Sequence, residues 1–244
     1  MSSIDELSSA RYERMRWNTP LSQAHADLLL HRLGIPAGAR VVDLGCGWGE
    51  LLLQAVGADG TGSTTGTGVD TDGAALARGR TLAAERSLDQ RVTFLTQEAT
   101  AWREPADRVL CVGASHAFGG TSAALKSLAA LVRPGGRLLF GDGFWERPPT
   151  TEATEIIGPG IMSLPDLIED ARSLGWRVLH MSVADQREWD DFESTWLAGR
   201  QEWLLRHPDD PRAAALRDEL DVRLREYVGV YRGVFGFAYL VLGR

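Results

Sequence analysis

The sequence predicts an α/β fold: a seven-stranded, mostly parallel sheet with helices on both faces, and a helical lid inserted before the last strand. Three observations carry this expectation. From residue 36 to about 184, short apolar runs alternate with helix-patterned segments, the signature of βαβ units and a parallel sheet. Residues 186–228 are then helical in pattern throughout. A final run, VFGFAYLVLG (234–243), alternates like a strand.

The elements follow in order. Residues 5–33 read as mostly helical, interrupted at WNTPLS (Trp17–Ser22). There Pro20 opens a new helix whose apolar face is Leu21, Leu28, Leu29 and Leu33. RVVDL (40–44) is the first strand and WGELLLQAV (48–56) the helix after it. A Gly/Thr/Ser loop (57–66) leads to the short strand TGVD (67–70). GAALARGRTLAAER (73–86) is helical by its alanine content and spacing. RVTFLT (91–96) and DRVLCVG (107–113) are strands three and four. TSAALKSLAALV (121–132) is a helix closed by the turn RPGG, and RLLFGDG (137–143) is the fifth strand. A helix over 163–174 precedes the sixth strand, WRVLHMSVA (176–184). The lid divides into two helices near HPDDP (207–211), and the last strand is expected antiparallel at the sheet edge. The organisation is that of one domain: an N-terminal helical cap (1–35), a core (36–184), a lid (185–232) and the last strand (233–244).

With 244 residues, 44% of them hydrophobic and 24% charged, the chain fits one substantial soluble domain with an elaboration. A net charge of −7 argues against a sequence-independent nucleic-acid binder, which needs a phosphate-neutralising surface. The first thirty residues carry Asp5, Glu6, Arg11, Glu13, Arg14 and Arg16 and do not read as a signal peptide. No apolar segment approaches a membrane span. Cys46 and Cys111 have no metal-ligand spacing and read as buried thiols of a reducing cytoplasm. Lys126 is the one lysine among many arginines, a bias of GC-rich bacterial genomes.

The chemistry begins at VVDLGCGWGE (41–50). Glycines after a strand let the backbone turn and approach a ligand, and the next helix offers unpaired N–H groups. A dinucleotide site requires G-x-G-x-x-G, with the last glycine beside a pyrophosphate. Here Gly45, Gly47 and Gly49 are followed by Glu50 at that third position, which disfavours a nicotinamide dinucleotide and hence an NAD-dependent oxidoreductase. No G-x-x-x-x-G-K-[ST] is present, so a P-loop is excluded.

VVDLGCGWG resembles the first motif of the class I, Rossmann-like S-adenosylmethionine-dependent methyltransferases, and the likeness continues for about 100 residues. GVD, ending in Asp70, is similar to the family's acid that binds both ribose hydroxyls. VTFLTQEAT is similar to its third-strand motif, with Glu98 and Ala99 beside the adenine, and LVRPGGRLLFGD to its turn and fifth strand. The layout resembles a bacterial small-molecule branch. The resemblance implies S-adenosylmethionine as cofactor, with contacts at Asn18, Asp43, Gly45, Cys46, Gly47, Asp70, Thr71, Glu98, Ala99 and Gly113. Glutamate at 98 departs from the more usual aspartate. A non-catalytic S-adenosylmethionine-binding protein is the alternative of a different class.

Methyl transfer needs alignment, and a base where the acceptor holds a proton. Cofactor and acceptor are expected at the carboxyl ends of the strands. After strand four, GASHAFGG offers His116 as the candidate base; the competing reading is a ring that bonds across its own loop. No Asn-Pro-Pro-Tyr or Pro-Cys motif of nucleic-acid methylation is there. After strand five, Asp142 either holds an acceptor group or caps its loop. Acids after both strands would suit a metal; only the second has one, so none is expected. Trp17, His116, Trp145 and Trp196 are the candidate acceptor-binding residues. Trp189, Trp196 and Trp203 recur every seven residues on one helical face. They read either as a core stripe or as rings bordering a flat acceptor, and Tyr227, Tyr231 and Phe235 allow the same two readings.

Overall fold

Among the described residues, seven strands form one sheet: β1 (Arg40–Leu44), β2 (Thr65–Asp70), β3 (Val92–Thr96), β4 (Ala106–Val112), β5 (Val132–Trp145), β6 (Arg177–Val183) and β7 (Phe235–Gly243). Their order is β3-β2-β1-β4-β5-β7-β6. The pairs β1–β2, β1–β4, β2–β3 and β4–β5 are parallel, and β6–β7 is antiparallel. The computed structural model describes Tyr12 and residues 14–244. Much of the helix expected before Trp17 lies outside the described residues.

The antiparallel pairing of the last strand holds, but its place at the edge does not. β7 is the inner strand and β6 the outer one. The reason is legible in burial: every residue of β7 after Phe235 is buried, as two-sided packing requires, whereas β6 exposes Arg177, Leu179 and Met181 on alternate positions.

Helix α1 (Gln23–Leu33) begins later than Pro20 suggests, because Ser22 is its cap and its hydroxyl accepts from His25 N. Helices α2 (Glu50–Gly57) and α3 (Gly73–Glu85) follow β1 and β2. Helix α4 (Thr121–Leu128) is shorter than expected. The RPGG turn is absorbed into β5: Ala106 pairs with Val132 and Arg108 with Arg137, so β5 advances five positions while β4 advances two. Gly135, at φ +74°, makes this bulge possible. A helix not anticipated from sequence, α5 (Thr151–Ile157), starts where the Thr150 hydroxyl accepts from Ala153 N. Helix α6 (Leu164–Ser173), capped by Ser163, matches expectation.

The chain divides into two compact units. The larger comprises Ser22–Phe144, Met162–Val183 and Phe237–Arg244. Its core joins Val42, Leu44, Val109, Cys111, Leu138, Phe140, Leu240 and Leu242 of the sheet to Ala124, Leu125 and Leu128 of α4. Trp176 is buried there, and its indole donates to Leu125 O at 3.1 Å.

The smaller unit comprises the described residues up to Leu21, with Trp145–Ile161 and Ala184–Gly236. It therefore takes in the α5 segment as well as the expected lid helices, α7 (Gln186–Arg206) and α8 (Ala213–Glu226). Asp185 and Glu188 form a reciprocal capping box at the start of α7. Leu197, Trp203 and Leu204 of α7 pack on Ala213, Leu216 and Leu220 of α8. Helix α8 runs on into a π-helical turn, Tyr227–Tyr231. No helix among the described residues is long and apolar enough to cross a membrane.

Candidate functional site

The glycine loop 45–49 joins β1 to α2, and the neighbouring strand β2 holds it. Gly45 N and Cys46 N both donate to Val69 O, at 2.8 and 3.1 Å. Gly47 N donates to Asp70 Oδ2 at 2.7 Å. The other Asp70 oxygen accepts from Asp72 N at 2.9 Å, and Asp72 in turn caps α3 through Ala74 N and Ala75 N. Asp70 thus pins the loop from the end of β2.

The three loop glycines have different reasons to be glycine. All have positive φ, at +75°, +55° and +69° for Gly45, Gly47 and Gly49. A Cβ on Gly45 would meet Ala114 Cβ at 2.3 Å, and one on Gly49 the Phe94 ring at 2.5 Å. A Cβ on Gly47 would meet nothing within 4 Å. Gly45 and Gly49 therefore serve internal packing, and Gly47 is where the bare backbone faces open space. Phe94 also fills the room left by Gly68 and Gly79, each of whose Cβ would come within 2.8 Å of its ring. One aromatic ring thus draws the loop, β2 and α3 together.

Glu50 follows Gly49 at the start of α2 and is only 5% exposed. Its carboxylate accepts from Arg86 Nη2 at 2.7 Å and Gln54 Nε2 at 2.8 Å. The charge is committed inside the fold. The case against a dinucleotide therefore rests on a bulky side chain in the third glycine's place, and not on bare negative charge. Trp48 is buried, with the Arg78 guanidinium 4.3 Å from its ring centroid.

Asp43, the last residue but one of β1, is buried. Burial, and secondly the charge of Asp70, push its carboxyl up to about 7. Burial, and then the charges of Asp43 and Asp70, raise the Cys46 thiol far above its ordinary range, and its Sγ donates to Gly47 O at 3.4 Å. Thr71 is exposed just past Asp70. Glu98 is exposed at the head of a single 3-10 turn, Ala99–Ala101, whose first residue is buried. Gly113 turns at φ +72° at the end of β4, its N donating to Gly141 O at 2.8 Å. The larger unit thus brings Asp43, Gly45, Cys46, Gly47, Asp70, Thr71, Glu98, Ala99 and Gly113 to the carboxyl ends of its parallel strands.

His116 and Asp142 occupy the same ends, and among the described residues no hydrogen bond or ion pair joins them. His116 is exposed on a single 3-10 turn, Ser115–Phe118, and nothing among the described residues hydrogen-bonds its ring. Asp142 is buried; its Oδ2 accepts from Thr121 Oγ1 at 2.6 Å and its Oδ1 from Gly143 N at 2.9 Å. Those bonds tie β5 to the start of α4, which is loop-holding geometry. Among the described residues no cluster of His, Cys, Asp or Glu suits a metal ion.

The remaining candidates belong to the smaller unit. Trp17 is half-buried with the Arg16 guanidinium 5.3 Å from its ring, and Asn18 is exposed. Trp145 meets Phe235 edge-on at 5.5 Å. Trp196 has two guanidinium groups on its ring, Arg200 at 4.0 Å and Arg223 at 3.8 Å. Sequence reasoning missed two tyrosine–carboxylate–arginine networks here. Asp190 accepts from Tyr227 OH (2.5 Å) and from Arg232 Nε and Nη2 (2.8 Å each). Glu193, buried on α7, accepts from Arg223 (2.9 and 3.0 Å) and Tyr231 OH (3.0 Å). The signal was present as acids at 190 and 193 facing tyrosines four apart, but a π-turn was needed to aim them.

Residues 41–136 match a family model described as a methyltransferase domain. The Escherichia coli (strain K12) protein YjhP is 34% identical over 235 residues, covering 93% of each chain. A crystal structure of an S-adenosylmethionine-dependent methyltransferase from Geobacter sulfurreducens, in complex with S-adenosyl-L-homocysteine, superposes with a TM-score of 0.87. It is 29% identical and covers 97% of both chains. A ubiquinone biosynthesis O-methyltransferase from Stutzerimonas stutzeri (strain A1501) is 29% identical over 65% of this chain and 71% of its own length.

Proposed function

The chain belongs to the class I S-adenosylmethionine-dependent methyltransferases, and from that premise we propose that it methylates a small, flat organic molecule in the bacterial cytoplasm. The observation that carries the cofactor half is the open backbone at Gly47, bonded to Asp70, with the Asp43 carboxyl near enough to feel the Asp70 charge. Acids beside an open glycine suit a ligand with hydroxyls and cationic groups and no phosphate. Asp70, already bonded to the loop, would accept ribose hydroxyls. Asp43 would take the cationic methionine portion, with Cys46 and Thr71 contributing from the same strand ends, and Glu98, Ala99 and Gly113 would border the adenine side; Asn18 is a further candidate contact, carried by the smaller unit. When bound, the cofactor supplies an electrophilic methyl carbon on a sulfonium.

The protein's share is alignment, exclusion of water and, for an acceptor that holds a proton, its removal. We assign that last step to the exposed, unbonded imidazole of His116. Asp142 enters through Thr121 as the group that fixes the adjoining loop, with one further lone pair on each oxygen for an acceptor donor. Trp17, Trp145 and Trp196 supply ring surface of the smaller unit. The Stutzerimonas relative, an O-methyltransferase of ubiquinone biosynthesis, supports a small-molecule acceptor. The net charge of −7 supports a partner that is not nucleic acid.

Thermal unfolding with S-adenosylhomocysteine and with NAD in parallel tests the premise. A ligand at about 100 times its dissociation constant stabilises by roughly 2.7 kcal/mol, which is on the order of 5–10 °C for a chain of this size. A shift with S-adenosylhomocysteine alone is expected; a shift with NAD alone would overturn the reading. Screening labelled methyl transfer to small aromatic phenols and acids then identifies an acceptor. On it, His116→Ala is expected to lower turnover by about 10²–10⁴ while S-adenosylhomocysteine binds as before. Full turnover in that variant removes His116 from the mechanism.

A further inference from the structure

The glycine loop is held on its incoming side, where Gly45 N, Cys46 N and Gly47 N reach Val69 and Asp70 of β2. Its outgoing side lacks the usual device. Gly49 stands at the N-cap of α2, and without a side chain it offers that helix no side-chain capping bond. The next residue, Glu50, carries the tie instead. Its Oε2 accepts from Arg86 Nη2 at 2.7 Å and its Oε1 from Gln54 Nε2 at 2.8 Å. Gln54 in turn shares a reciprocal amide pair with Gln23 of α1, at 3.0 and 3.1 Å.

Arg86 closes α3, and the opposite end of that helix is tied to the loop as well. Asp72 caps α3 and donates its N–H to Asp70, whose other oxygen accepts from Gly47 N. One helix thus grips the loop twice, through Asp72 and Asp70 at Gly47 and through Arg86 at Glu50. Between these grips, Arg78 of α3 lays its guanidinium 4.3 Å from the centroid of the Trp48 ring, near enough to feel the Glu50 charge. All of these residues belong to the larger unit.

Glu50 is buried, and a buried ion pair is a poor way to stabilise a fold, because desolvation offsets much of the Coulombic gain. Its virtue is geometric. A carboxylate with fixed partners defines one arrangement of the elements it joins, where apolar contacts would allow several.

We infer that Glu50 is a positioning residue for the cofactor: through Arg86 it fixes the outgoing half of the glycine loop, so that the Gly47 backbone meets the ligand in one conformation. This rests on the cofactor reading above and adds to it a residue that acts through the loop.

The test measures S-adenosylhomocysteine binding to the full chain by calorimetry, well below the melting transition of every variant. Glu50→Gln keeps the shape and deletes the charge; Arg86→Ala deletes the other half of the pair. Each is expected to raise the dissociation constant about tenfold, and the double variant no further, as members of one network do. Arg86 lines an open groove of about 840 Å³ with Asp27, Gln54 and Arg91, so a small cation can enter from solvent. Guanidinium chloride at non-denaturing, millimolar concentration is therefore expected to restore binding to Arg86→Ala and to leave the wild type unchanged. The control is Trp176→Phe, which loses a buried bond to Leu125 O elsewhere in the larger unit. It is expected to lower the melting temperature and leave binding as it was.

Unaltered binding in the folded variants overturns the inference. So does a loss that guanidinium does not reverse, or one that Trp176→Phe reproduces, since either makes the pair a support of the fold alone. Should Arg86→Ala not fold, Glu50→Gln compared with Trp176→Phe decides by itself. A wild type that binds no S-adenosylhomocysteine overturns the cofactor reading and this inference with it, whereas intact binding in the variants overturns this inference alone.

Discussion

At the scale of single residues, Asp43 makes the most testable electrostatic statement. An acid whose folded-state pKa is raised holds its proton in the fold at pH values where the unfolded chain has lost it. Its contribution to apo stability is therefore greatest on the acid side, and falls as pH rises from the ordinary value of 3.8 through about 7. Asp43→Asn is expected to raise the melting temperature of the apo protein at about pH 8 and to leave it nearly unchanged at about pH 4. The same substitution is expected to weaken S-adenosylhomocysteine binding. In the wild type, binding should weaken as pH falls through about 7, because the ionised carboxylate is the form that takes a cation. Calorimetric titration across that range checks it, and a flat profile would remove Asp43 from the site. Gly49→Ala tests a different property. The new Cβ would press into Phe94 at 2.5 Å from a backbone at φ +69°, and a loss of about 1–3 kcal/mol in denaturant unfolding is expected. Gly47→Ala should cost less stability and more cofactor affinity, since space is open there.

At the scale of elements, the strands and most helices were legible because apolar periodicity decides them. The parallel core from β1 to β4 came out within a few residues of expectation and the helices α7 and α8 divide near HPDDP, whereas β5 begins five residues early because it takes in the RPGG turn. What failed has physical causes. Pro20 outweighed Ser22 in placing α1, though it is the Ser22 hydroxyl that caps the helix by accepting from His25 N. The helix Thr151–Ile157 is short and follows two prolines, which read as loop, while its capping threonine at 150 was the overlooked signal. Networks between α7 and the π-turn depend on tertiary aim, which periodicity does not encode. The cofactor loop was legible as a motif, but the division of labour among its glycines was not, since Ala114 and Phe94 approach it from distant sequence. The Glu193–Tyr231 bond links α7 to the π-turn inside the smaller unit. Tyr231→Phe leaves the buried carboxylate one donor short, and burial already raises its pKa. A loss of about 1–3 kcal/mol is expected. Unfolding monitored by hydrogen exchange should place that loss in the 186–232 peptides.

At the scale of the whole molecule, the carboxylates and glycines proposed for the cofactor lie at the strand ends of the larger unit. S-adenosylhomocysteine is accordingly expected to slow hydrogen exchange most in peptides covering 41–50, 67–72 and 97–101. Protection confined to other segments would put the cofactor elsewhere. The inner position of β7 has a consequence for how the chain is made. β5 and β6 are separated in the finished sheet by a strand synthesised only after both lid helices. A ribosome therefore releases β6 with no neighbour to pair with until residues 235–243 emerge. Until then the half-built protein exposes two unmatched strand borders, the state most open to aggregation and proteases. Completion of the sheet waits for the synthesis of β7, so a nonsense codon just before Phe235 should yield degraded or chaperone-bound chains in place of a weakened enzyme.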